Sequence, residues 1–132
     1  MTAPLVLDTG ALIALDRNDR QMWAVLRVAA NEGRLIQVPT GAIAQAWRDG
    51  SRQALLSRAL RHCDEIALDG VLARAAGLLC GRAGTVDVID ASVALTASTL
   101  ARSSDAVVFT SDPSDIAHLA DTLGAKIQIE RV

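Results

Sequence analysis

The stretch LVLDTGALIAL, residues 5–15, combines a strand pattern with a helix pattern that follows it directly. Its first three residues, Leu5–Leu7, form a short apolar run that predicts a buried strand. Apolar residues then recur at helical spacing, and Asp8 or Thr9 is placed to cap that helix. A buried strand that leads directly into a helix is typical of α/β proteins.

The same succession continues along the chain. Further strands are predicted at residues 35–38, 65–68, 106–109 and 127–129, with helical patterns between them. The clearest helix is predicted over residues 87–101, and Thr40 is expected to cap the helix after the second strand. Strands that alternate with helices predict an α/β fold with a parallel sheet covered on both faces. No linker or repeat interrupts the pattern, so we expect one domain over residues 1–132.

Composition and charge exclude several function classes. The net charge is −2, so the chain lacks the strongly basic character of many nucleic-acid-binding proteins. Only three residues are aromatic (Trp23, Trp47 and Phe109), which argues against recognition of single strands by base stacking. Cys63 and Cys80 lack metal-ligand spacing, so free thiols in a cytoplasmic protein are expected. No apolar run reaches the roughly 18 residues of a membrane span.

Acidic residues follow two predicted strands and open a helix. Asp8 and Asp112 come after the first and fourth strands, and parallel strands bring such positions to one sheet edge. Asp87 and Asp90 lie three residues apart, on one face of the helix that they open. Clustered carboxylates repel one another unless a cation neutralises them, and Mg²⁺ or Mn²⁺ suits oxygen ligands. An ion held in this way can activate water against a phosphodiester.

Each acid also has a purely structural interpretation. Asp8 and Asp112 could cap the helices that follow them, and Asp87, Asp90 and Asp115 could complement helix dipoles. Asp90 lies deeper in its helix, where no cap is needed. His62 and His118 are isolated in the sequence, and structural roles are favoured for both.

The tripeptide Asp8-Thr9-Gly10 also matches the signature of aspartic proteases. That chemistry requires an all-β setting and a second such loop. Here the motif is followed by helix-period residues, so the match is interpreted as coincidental.

The ordered set of motifs resembles the PIN-domain ribonucleases. The match runs through LVLDTGALIA at residues 5–14, IAQAWR at 43–48, DVIDA at 87–91 and VVFTSD at 107–112. It covers essentially the whole chain in the family's order. The compact size and the TSDPSD ending, residues 110–115, look most like VapC-type toxins of bacterial toxin–antitoxin pairs.

This resemblance implies a three-layer α/β/α sandwich with a central, mainly parallel sheet and an Mg²⁺- or Mn²⁺-dependent endoribonuclease site. It implies that Asp8, Asp90 and Asp112 are the catalytic, metal-binding residues. The accessory residues implied are Asp87, Asp115, Gln45, Thr9 and Thr110. It further implies a homodimer, an RNA substrate and a VapB-type antitoxin as the protein partner.

Gln45 departs from the family pattern, which usually has Glu at this position. Glutamine can coordinate a metal through its carbonyl oxygen, but it carries no charge and cannot act as a base. Two functions are therefore expected from the sequence. The first is an RNA-cleaving toxin, and the alternative is a catalytically weak or inactive PIN-like module that keeps its antitoxin interface.

Overall fold

The computed structural model describes residues 3–132 and contains five strands and seven α-helices in this part of the chain. Met1 and Thr2, which belong to the domain predicted over residues 1–132, lie outside the described residues. The elements follow in the order β1 Leu5–Leu7, α1 Thr9–Asp16, α2 Arg20–Asn31, β2 Ile36–Pro39, α3 Thr40–Ala46, α4 Ala54–Leu60, β3 Asp64–Ile66, α5 Gly70–Ala83, α6 Val88–Ala101, β4 Val107–Thr110, α7 Pro113–Leu123 and β5 Gln128–Arg131. A short 3₁₀ helix, Gly50–Arg52, precedes α4.

The five strands form one parallel sheet in the order β3-β2-β1-β4-β5. The predicted parallel sheet is therefore confirmed. The chain moves outward from β1 to β3 on one side and then crosses to β4 on the other. The position between β1 and β4 is thus a topological switch point, where open α/β sheets form their binding crevices. Asp8 and Asp112 follow these two strands.

Helices cover both faces of the sheet, because alternate residues of β1 point to opposite sides. Leu5 and Leu7 pack with buried residues of α1, α2, α3 and α4. Val6 packs with residues of α6 and α7 on the other face. Helix α5 adds to that second layer by packing on α6 and α7 through Leu79 and neighbouring small residues. The expected three-layer sandwich is confirmed.

One local expectation differs from the structure. Thr40 is the first residue of α3 rather than its cap, and its hydroxyl accepts a hydrogen bond from the Leu68 backbone N–H at 3.0 Å. That bond ties the start of α3 to the segment after β3. The loop after α3 is instead organised by the buried Gln53, whose Oε1 accepts from the backbone N–H groups of Arg48 and Asp49 at 2.8 and 3.0 Å.

None of the helices described over residues 3–132 is long and apolar enough to cross a membrane.

Candidate metal centre

Asp8 is held at the junction of β1 and α1. Its carboxylate accepts a hydrogen bond from the Ala11 backbone N–H at 3.2 Å, so it does cap α1. Only 4% of the residue is exposed. Burial raises the pKa of Asp8, and the neighbouring Asp112 raises it further, while a hydrogen bond from the Thr110 hydroxyl favours the charged form. The structural and functional interpretations of Asp8 are therefore compatible.

Thr110 also holds the loop that carries Asp112. Its Oγ1 accepts a hydrogen bond from the Asp112 backbone N–H at 2.9 Å. Asp112 occupies the N-cap position of α7, but its side chain makes no capping hydrogen bond. Because the exposed carboxylate is not used to begin the helix, its oxygens are available to a ligand.

Asp87 and Asp90 have different tasks at the start of α6. Asp87 is the N-cap, and its carboxylate accepts from the backbone N–H of Asp90 at 2.9 Å. The pKa of Asp90 is raised to about 7, chiefly because burial penalises its charge and then because Asp87, Asp8, Asp112 and Asp115 repel it. The charges of four other carboxylates thus act on the Asp90 side chain.

Three of these acids bring their oxygens together. Asp90, Asp112 and Asp115 each place one carboxylate oxygen within 4.8 Å of the other two. The sequence grouped Asp8 with Asp90 and Asp112 and treated Asp115 as accessory. Asp115 joins this trio because it lies one helical turn after Asp112, on the helix that packs against α6. Asp8 lies outside the trio but within electrostatic range of Asp90.

The donor set of this centre fits a hard divalent cation. In the part of the chain that the structure describes, the ion pairs are Arg34–Glu32 and Arg52–Asp49, so no basic side chain neutralises the acidic trio. Carboxylate oxygens are the ligands that Mg²⁺ and Mn²⁺ prefer. A cation at the trio would relieve the repulsion that raises the pKa of Asp90.

Thr9 and Gln45 meet beside the acidic residues. The Thr9 hydroxyl donates a hydrogen bond to Gln45 Oε1 at 2.6 Å, and this bond joins the first residue of α1 to the last turn of α3. Because Thr9 directly follows Asp8, the bond anchors the Gln45 amide near the carboxyl edge of the sheet. The family resemblance implied that both residues are accessory, but it did not predict that they contact each other.

Two further features near the centre were not found from the sequence. A Cβ built on Gly10 would lie 2.6 Å from the Ser111 Cβ, so α1 and the Asp112 loop touch at a point where no side chain fits. His118, set aside as isolated, lines a small cavity of about 80 Å³ with Asp90 and Asp115. Its Nε2 donates to the Ala83 carbonyl oxygen at 2.7 Å. Neither contact leaves a local sequence signal, because each joins segments that are distant in the chain.

Comparisons with known proteins identify the fold. No family model matches the sequence. No curated protein matches it either. Solved structures do match in fold: one is VapBC2 from Rickettsia felis bound to a DNA fragment from their promoter, with a TM-score of 0.67, 14% identity, and coverage of 97% of this chain and 98% of that chain. Another is DNA-bound VapBC from Salmonella typhimurium, with a TM-score of 0.63, 17% identity, and coverage of 98% of both chains.

At 14% and 17% identity, these similarities show the fold alone, which is an α/β sandwich shared with the two VapBC structures. The chain has the fold of VapC-type toxins that the sequence resemblance predicts. The aspartic protease interpretation of Asp8-Thr9-Gly10 is excluded on its own terms, because that chemistry requires an all-β setting and Thr9 begins a helix beside a parallel sheet.

Proposed function

We propose that this chain is a metal-dependent endoribonuclease and the toxin of a toxin–antitoxin pair. The observation that carries the proposal is the meeting of Asp90, Asp112 and Asp115 oxygens within 4.8 Å at the switch point of the sheet. A group of this kind can hold a divalent cation, and such a cation can support hydrolysis of a phosphodiester.

When bound, Mg²⁺ or Mn²⁺ supplies Lewis-acid chemistry that activates water and neutralises phosphate charge. The trio Asp90, Asp112 and Asp115 would hold the ion. Asp90 must release its proton to do so, since its pKa of about 7 keeps much of it neutral at neutral pH. The Asp8 carboxylate accepts hydrogen bonds from Thr110 and from the backbone of α1. It adds negative charge near Asp90 and is a further candidate ligand.

RNA is the proposed substrate. The net charge of the chain does not support this proposal, but an arginine close to the acidic residues does. Arg131, at the end of β5, donates a hydrogen bond from Nη1 to the Ser111 carbonyl oxygen at 3.3 Å. This places an exposed guanidinium next to the residue that precedes Asp112. A guanidinium there can bind a phosphate adjacent to the one that is cleaved.

An antitoxin is the proposed protein partner. The two similar structures are described as VapBC complexes, and the chain carries a groove of about 510 Å³ near α3 and α4. Trp47, which lines this groove, is 40% exposed although it is large and apolar. We assign the groove to the antitoxin, since a bound segment would bury the indole.

A homodimer is proposed on the family resemblance, and the exposed Val71 and Leu78 on α5 offer apolar surface for it.

The test is cleavage of a mixed-sequence RNA by the purified chain with Mg²⁺ or Mn²⁺, compared with Asp112→Asn. This variant keeps the size of the side chain and breaks no capping bond. Asp105→Asn is the matched control, because Asp105 is exposed at the opposite end of β4. We expect metal-dependent cleavage that Asp112→Asn abolishes and Asp105→Asn leaves intact. Equal cleavage by all three proteins would reject the assignment.

A second candidate is a PIN-like binding module with little activity. The observation that favours it is the neutral Gln45 side chain, which adds no negative charge beside Asp8. Calorimetric titration with Mn²⁺ separates the two functions. Saturable binding that Asp90→Asn weakens supports the enzyme, whereas no binding up to millimolar Mn²⁺, together with antitoxin binding, supports the module.

A further inference from the structure

We propose that Gln45 binds the substrate rather than the metal, by donating its amide hydrogens to a non-bridging oxygen of the RNA backbone. This inference rests on the proposed nuclease function and assigns a substrate contact within that site. The Gln45 amide has an oxygen that accepts hydrogen bonds and a nitrogen that donates them, so its two ends bind different groups.

The oxygen end of the amide is already engaged. Gln45 Oε1 accepts the short hydrogen bond of 2.6 Å from the Thr9 hydroxyl. Thr9 is in the first turn of α1, which Asp8 caps, so the side chain that holds Oε1 is itself part of a rigid element. The hydrogen bond therefore restrains the position of Oε1 and limits the rotation of the amide group.

The nitrogen end remains free. Over residues 3–132, Gln45 Nε2 donates to no protein group. The Gln45 side chain is exposed, so its two Nε2 hydrogens are accessible to solvent. With one lone pair of Oε1 engaged by Thr9 and both Nε2 hydrogens without a protein acceptor, the amide offers chiefly donors to a ligand that accepts hydrogen bonds.

Charge decides which ligand that is. An N–H group repels a cation, so the free end of Gln45 is unsuited to a divalent ion. The same group attracts an anionic oxygen, and hydrogen bonds to charged acceptors are the stronger ones. Non-bridging oxygens of a phosphodiester carry the charge of the RNA backbone. Next to carboxylates that repel this backbone, a neutral donor at Gln45 provides attraction without competing for the cation.

Two measurements on five proteins test the proposal. The proteins are the unmodified chain, Gln45→Ala, Gln45→Glu, Thr9→Val and the control Gln128→Ala, which alters an exposed glutamine at the start of β5. Mn²⁺ binding is measured by calorimetry. RNA binding is measured by fluorescence anisotropy of a labelled oligonucleotide with Ca²⁺ in place of Mn²⁺, and a gel confirms that the oligonucleotide stays intact.

For Gln45→Ala we expect Mn²⁺ affinity to stay within about twofold and RNA affinity to fall about tenfold, the equivalent of one hydrogen bond to a charged acceptor. Gln45→Glu should change the two affinities in opposite directions, with tighter Mn²⁺ and weaker RNA binding, because it replaces a donor by a negative charge. Thr9→Val should weaken RNA binding in the same direction as Gln45→Ala, since it frees the amide to rotate. Gln128→Ala should change neither affinity.

Other outcomes would overturn the proposal. If Gln45→Ala weakens Mn²⁺ binding about tenfold and RNA binding only in proportion, Gln45 is a metal ligand through Oε1. If Gln45→Ala changes neither the Mn²⁺ affinity nor the RNA affinity, the hydrogen bond between Thr9 and Gln45 has only a structural role. Both results leave the nuclease function standing whenever the unmodified chain cleaves RNA. If the unmodified chain neither binds nor cleaves RNA, the proposed function and this inference fail together.

Discussion

The Asp87 carboxylate accepts a hydrogen bond from the backbone N–H of Asp90 at 2.9 Å, so one acid begins the helix on which the other is displayed. The same pair is coupled through charge, because Asp87 is the carboxylate that contributes most to the raised pKa of Asp90. Capping and electrostatics can therefore be separated by substitution, since they depend on different properties of the Asp87 side chain.

Asp87→Asn should lower the pKa of Asp90 while leaving the helix intact. Asparagine caps helices about as well as aspartate, but it carries no charge. The pKa of Asp90, followed by carboxyl-carbon NMR, should fall from about 7 towards its ordinary value. Asp87→Ala should lower the pKa as well and should also destabilise the fold by about 1 kcal/mol, since the cap is lost. A pKa of Asp90 that is unchanged in both variants would show that the Asp87 charge does not raise it.

The raised pKa of Asp90 predicts opposite pH dependences without and with metal. Since the folded-state pKa lies above 3.8, the stability that Asp90 contributes is present at low pH and is lost as pH rises through about 7. The metal-free chain should therefore have a lower Tm at pH 8 than at pH 5. Mn²⁺ binds the charged form, so its affinity should rise about tenfold per pH unit below pH 7 if one proton is displaced.

The measurement is a set of thermal melts with and without saturating Mn²⁺ across this pH range. The increase in Tm that Mn²⁺ causes should be larger at pH 8 than at pH 5. Asp90→Asn is the control, because it removes the titrating group and should flatten the metal-free profile between pH 5 and pH 8. An increase in Tm that is independent of pH would contradict the role given to Asp90.

Asp115 and Asp121 provide a matched pair on α7. Both are exposed, but only Asp115 brings an oxygen to the trio with Asp90 and Asp112. Asp115→Asn should weaken Mn²⁺ binding at least about tenfold, which is the effect seen even for groups that only orient metal ligands. Asp121→Asn should leave the affinity unchanged. Calorimetry that finds equal losses for the two variants would mean that general charge, rather than coordination, attracts the ion.

Much of this architecture could be predicted because it depends on patterns between residues that are close in the sequence. The buried run Leu5–Leu7 and the helix-period residues after Gly10 are short-range patterns, and one parallel pairing brings Asp8 and Asp112 to the same edge. The membership of the acidic trio could not be derived in this way. It depends on how α6 and α7 pack, which decides that Asp115 rather than Asp8 faces Asp90 and Asp112. The bond between Thr9 and Gln45 spans 36 residues and has the same origin.

Gly10 should prove essential to the spacing between α1 and the loop that carries Asp112. A Cβ at this position would lie 2.6 Å from the Ser111 Cβ and 3.0 Å from the Ser111 backbone nitrogen. Gly10→Ala must therefore push the two segments apart, at a cost of about 1–3 kcal/mol. Because Asp8 precedes Gly10 and Asp112 follows Ser111, the displacement should also weaken Mn²⁺ binding, as measured by calorimetry.

Gly77→Ala is the comparison for this variant, since nothing lies within 4 Å of a Cβ built there. Gly77 is inside α5, so alanine should stabilise the chain by about 0.5–1 kcal/mol and leave Mn²⁺ binding unchanged. Adding Ser111→Gly to Gly10→Ala should recover part of the lost stability, because it removes the side chain that the new methyl group meets. If Gly10→Ala is as stable as the parent chain and binds Mn²⁺ equally well, the loop can shift without moving Asp112, and the close approach of Gly10 to Ser111 does not hold the acidic trio in place.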